Sequence, residues 1–212
     1  MHGNQSSGTN PRYIDGIFDY CDRWCERCPL THRCRQCGAH GGIEAAQDRS
    51  TVDSGRDVRG SHGYAELVSA WFDAERQGLL VRADAWVARL AHDDDGDALV
   101  AEAVRVKHAL QIIERDRWVI QAKLSRARAC SASMTAGPRN VALQHEHDGF
   151  AKVALISIDR SEAAWRVLAE WMDGSTTALA LADLLAQLRR CVESEFPAAR
   201  RFVRPGFDEA PM

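Results

Sequence analysis

The sequence predicts an all-α protein: an antiparallel four-helix-bundle-like domain with a small N-terminal cysteine-rich helix–loop element. Three observations carry this expectation. From position 63 onward, apolar residues recur at steps of three and four over long segments. No strand-period run or hairpin signal competes with them. Five of the seven cysteines, Cys21, Cys25, Cys28, Cys34 and Cys37, crowd into "YCDRWCERCPLTHRCRQCG".

In order along the chain, residues 1–11 are small and polar and read as a disordered tail. Residues 12–40 form the cysteine-rich, metal-binding element, and residues 41–62, rich in Gly, Ser and charge, read as a flexible linker. Residues 63–212 are the helical bundle. Its first periodic segment, Tyr64 to Leu90, carries Leu67, Trp71, Ala74 and Leu79 on one side, with Gly78 placed to bend or break it. The second follows the acidic run "HDDDGD", suited to a helix N-terminus, and carries Leu99, Ala103, Val106, Leu110, Ile113, Arg117, Ile120 and Leu124. The third runs from Val141 to Trp171 and is apolar nearly all round from Phe150 to Trp165, which predicts the most buried helix. The fourth starts near "GSTTA", with Ser175 or Thr176 as cap, and Pro197 and Pro205 end regular structure after it.

A net charge of −3 gives no overall footprint for nucleic acid. No apolar run approaches the roughly 18 residues of a membrane span. The opening "MHGNQSSGTNPR" lacks the apolar stretch of a secretory signal. A cytoplasmic location is therefore expected, where clustered thiols serve as metal ligands or redox groups rather than structural disulfides.

"YIDGIFDYCDRWCERC" reads as a short helix that places Ile14, Ile17, Phe18, Cys21, Cys25 and Cys28 on one stripe. Pro29 stops it, and "CRQCG" returns two further thiols in a turn. Zinc, which takes four ligands in a tetrahedron, fits Cys25, Cys28, Cys34 and Cys37 as two C-x-x-C pairs, although the gap between the pairs is short. An iron–sulfur cluster fits Cys21, Cys25, Cys28 and Cys34, spread over successive turns. Cu(I) is a less favoured third choice. His32 and His40 stand nearby as replacement ligands, but a single histidine in a loop is more often solvated. "CDRWCERC" has the C-x3-C-x2-C spacing of radical SAM enzymes, but the repeating strands and helices of their barrels are missing.

Within the third helical segment, Lys152, Asp159 and Arg160 interrupt the apolar run, and charges in such a place are paired or reach solvent. The second segment offers His108 and Arg117. An Arg117–Asp159 ion pair is expected. The four residues His108, Arg117, Lys152 and Asp159 form either buried ion pairs that fix helix register or a small-molecule pocket in the bundle. A carboxylate-bridged di-iron centre is excluded, because no E-x-x-H occurs and His145 and His147 are two residues apart. No Gly-rich phosphate loop, G-x-S-x-G or H-E-x-x-H is present. The arginines at 189, 190, 200, 201 and 204 are diluted by nearby acids and read as a solvated face.

"YIDGIFDYCDRWCERCPLTHRC", "AKVALISIDRSEAAW" and "FPAARRFVRPGFD" together resemble a family of uncharacterised bacterial proteins with an N-terminal cysteine motif and a helical body. The resemblance implies Cys21, Cys25, Cys28 and Cys34 as the motif's ligands, with Cys37 outside it. It implies no activity. The expected function is metal binding, of zinc or an iron–sulfur cluster, with the bundle as scaffold or docking domain for a protein partner. A small-molecule enzyme with a polar bundle pocket is the first alternative. A redox-switched adaptor or regulator is the second.

Overall fold

Every regular element among the described residues is helical, in a computed structural model that describes residues 13–14, 16–39, 64–76, 78–90, 97–135 and 141–208. The tail expected over 1–11 and the linker expected over 41–62 lie outside the described residues, as do His40 and the acids preceding Asp97.

The helices are α1 (Arg35–Ala39), α2 (Tyr64–Arg76), α3 (Leu79–Leu90), α4 (Asp97–Thr135), α5 (Val141–Trp171) and α6 (Thr176–Glu195). The first long periodic segment is thus two helices. Gly78 separates them at φ 67°, a left-handed conformation that costs a side-chain-bearing residue far more than glycine. The α5 limits are those its periodicity predicts. Ser175 caps α6, its hydroxyl accepting the Ala178 N–H at 3.5 Å.

Helix α5 lies between α4 and α6, α3 packs on α4, and α2 packs on α6. The core forms where their apolar stripes meet. Leu155, Ile158, Trp165 and Leu168 of α5 are buried with Val106, Ile113, Ile120 and Leu124 of α4. Leu181, Leu185 and Leu188 of α6 and Leu67 and Trp71 of α2 close it. Each such side chain contributes roughly 2 kcal/mol by leaving water. Trp86 and Trp171 meet at 5.0 Å between ring centroids at the edge of this core.

The α4 seam runs differently from the expected one. Leu99 is exposed, and the inward positions are Ala103, Val106, Ala109, Ile113, Asp116, Ile120 and Leu124. Asp116, not Arg117, is the charged residue in the seam, and it is fully buried. Lys123, one turn before Ala127 on the same helix, is buried too.

The N-terminal segment is not the continuous helix that its spacing predicts. It is a series of single 3-10 turns, Ile17–Asp19, Cys25–Arg27 and Thr31–Arg33, followed by α1. Arg23 sits at φ 58°, and the Asp22 carboxylate accepts the Trp24 N–H at 3.0 Å. That local bond competes with helical bonding and turns the chain between Cys21 and Cys25. The folded-back segment is closed by Ile14 N–H donating to the Arg33 carbonyl at 3.0 Å.

Candidate functional site

The broken segment brings its thiols together by folding rather than by helical periodicity. Cys21, Cys25, Cys28, Cys34 and Cys37 all line one cavity of about 20 Å³, with Ile17, Leu30 and Phe207 as apolar neighbours. All five are free and half-buried, whereas of the remaining two Cys130 is buried and Cys191 exposed, away from the cluster. Burial, then the neighbouring Cys37, Cys21, Glu26 and Cys28, push the Cys25 thiol up to about 11. Burial also raises Cys21 and Cys28. Cys21, Cys25 and Cys28 are therefore protonated at neutral pH and give up protons to a cation that binds them. They line one space without standing as a finished ion cage: among the described residues no three His, Cys, Asp or Glu side chains are so grouped. His32 is exposed.

Polar bonds hold this element to the bundle. Lys123 of α4 donates to the Asp19 carbonyl at 2.5 Å, and burial brings its ammonium down to about 8. Arg115 donates to the Asp22 carbonyl at 3.1 Å. Arg160 of α5 is the hub. Its Nε and one terminal nitrogen hold the two Asp116 oxygens at 3.1 Å each, and its other terminal nitrogen reaches Asp22 at 2.6 Å. Burial raises the Asp116 carboxyl, while the bonds from Arg160 pull Asp22 below its ordinary range against the cost of burial. The Trp24 ring lies among three guanidiniums, with Arg27, Arg115 and Arg160 at 4.2, 4.8 and 5.9 Å from its centroid.

Close packing fixes the docking as well. A Cβ on Gly149 would stand 2.3 Å from the Tyr20 ring, so only glycine lets the ring lie on α5. Phe202, from the segment after α6, packs against Tyr20 at 5.4 Å between centroids, the rings tilted by 41°. His147 is buried against Phe196 at 4.8 Å and bonded to Asp148 at 2.9 Å, while His145 is exposed, so the "HEH" run faces two environments.

The four polar residues expected to form either buried ion pairs or a bundle pocket do not come together in one place. Asp159 is held by Arg200, at 2.5 and 3.1 Å, with Arg189 at 3.6 Å. The expected Arg117–Asp159 pair is therefore replaced by pairs to arginines that follow in sequence. Lys152 donates to the Arg200 carbonyl at 2.7 Å, so it and Asp159 share one partner. Arg117 points toward Trp118, 4.9 Å from its centroid, and lines a separate cavity with Trp71 and Leu80. His108 stands apart from all three, beside Trp24 and Arg27. The physical reason is register: with Asp116 inward, Arg117 is rotated off the α4–α5 seam. Sequence reasoning missed Asp116, Lys123 and Asp22. The signal for the first two was present as acidic and basic residues at three-four spacing from Ile113 and Ile120.

A scan of family models, a search of curated proteins and a search of solved structures each found no match to this chain. No helix among the described residues is long and apolar enough to cross a membrane.

Proposed function

We propose that the protein binds one thiophilic metal ion, zinc before Cu(I), through Cys21, Cys25, Cys28 and Cys34, with Cys37 as a fifth thiol on the same space. The observation that carries this reading is the convergence of all five on one cavity of about 20 Å³. That space suits a single ion, whereas an iron–sulfur cluster would have to push the thiols apart. Zinc accepts a sulfur tetrahedron and has no redox chemistry, so the ion's role is to tie together a segment with little apolar core of its own. The helices act as the scaffold on which this element docks, an antiparallel four-helix bundle in which α2 and α3 together supply one member. Free thiols of this density belong in a reducing compartment, the cytoplasm. A protein partner contacting the exposed side of the element completes the reading.

Elemental analysis of anaerobically purified protein tests it. About one zinc per chain is expected, and the double variant Cys25→Ser with Cys28→Ser loses it. Brown protein carrying iron and acid-labile sulfide would replace the single ion by a cluster. Protein free of zinc, iron and copper would end the metal reading.

A further inference from the structure

Another cavity, of about 590 Å³, opens where the cysteine element leans on α4 and α5. Its size falls in the range of small-molecule sites. Its floor is apolar, formed by Ala109 and Ile112 of α4 and Ile156, Ala163 and Val167 of α5. Its walls are cationic. Arg27, Arg105, Arg160 and Arg204 line it, with His108 beside them and Asp22 as the single carboxylate.

Three of these guanidiniums are already neutralised. Arg160 is held by Asp116 and Asp22, Arg105 by Glu170 at 3.0 Å, and Arg204 by Asp208 at 2.7 Å. Arg27 differs. Its bonds go to His108 Nε2 at 2.6 Å and to the Gln111 amide oxygen at 3.2 Å. Neither is a carboxylate, and among the described residues Arg27 has no acidic partner. To accept from Arg27, Nε2 of His108 must be unprotonated, so the imidazole leaves the charge uncompensated. The guanidinium carbon also lies over the Trp24 ring, 4.2 Å from its centroid, a cation–π distance. A guanidinium carries five N–H donors, and these two bonds use two.

We propose that this cavity binds a small amphipathic carboxylate. The head is taken by the free N–H edge of Arg27 beside His108, and the apolar body lies on the floor between α4 and α5. A planar carboxylate matches the fork of a guanidinium, and an aliphatic or aromatic body matches alanine, isoleucine and valine. The inference does not rest on the metal reading: its head-group contacts and floor are not cysteines, although Cys28 borders both cavities.

Isothermal titration calorimetry with sodium octanoate tests it, with 1-octanol and sodium acetate as the body and the head alone. Metal content is measured on every sample. Octanoate is expected to saturate one site and to bind at least about tenfold tighter than either control, the scale of a charge-assisted hydrogen bond. Arg27→Gln should weaken it by about tenfold or more. Because Arg27 lies between two cysteines, Ala163→Trp supplies an independent variant. It fills the floor from α5, at a position outside the element, and it too should abolish saturable binding. No octanoate binding, octanol binding equally well, or full binding by the Ala163→Trp protein would each overturn the proposal.

Discussion

Along the seam of α4 and α5, apolar side chains fill most inward positions, and Ile113, Ile120, Leu124, Leu155 and Ile158 are almost wholly buried. In residues 16–37 only Ile17 is a buried apolar side chain. That segment meets the helices through Arg160, Arg115, Lys123 and Arg27, each a directional polar contact. The seam draws its stability from area removed from water, which tolerates small shifts. The cysteine element depends on geometry, since a charged bond in a partly buried site is worth little once misaligned. The bundle should therefore outlast loss of the element, while the element should fail with either the bundle or its own ligands.

The largest effect expected within this comparison comes from the seam. Leu155→Ala removes a fully buried side chain and should cost about 3 kcal/mol in urea unfolding, with both regions lost in one transition. An element that stays protected after the helices have unfolded would break the claim that it has no independent stability. Next is Gly149→Ala, whose Cβ must displace the Tyr20 ring. It should cost about 2 kcal/mol, and limited proteolysis should cut within residues 16–39 before the helices. Equal protection of both regions would show that Tyr20 can move without releasing the element.

The smallest effect is electrostatic. Burial, then Arg27 and Arg160, hold the His108 imidazolium below its ordinary range. A depressed histidine binds its proton less tightly when folded than when unfolded. Stability from this group is thus complete above the unfolded value of about 6.5 and falls as the pH drops through it. Nuclear magnetic resonance titration of His108 should give a midpoint below 6.5, moving upward in Arg27→Gln. An unchanged midpoint in the variant would remove Arg27 as a cause.

Much of the helical frame was legible in the sequence, because burial of a regular helix leaves a periodic trace. Val141–Trp171, the Ser175 cap and the break at Gly78 all follow from local rules. The cysteine helix did not follow. Its stripe of Ile14, Ile17, Phe18 and three cysteines satisfies the same periodicity, but the Asp22–Trp24 bond and Arg23 at φ 58° turn the chain instead. In α4 the apolar pattern allows two neighbouring registers, and only packing against α5 places Asp116 inward and turns Arg117 away.

The sequence by itself therefore determined the helical class, the limits of α5 and the crowding of five cysteines. Each is a property of residues close along the chain. The tertiary structure decided which charges pair and which thiols meet. It joins Arg160 to Asp22, 138 positions away, and Arg27 to His108, 81 positions away. Such partners are chosen by the angle at which elements pack, and local propensity carries no record of that angle.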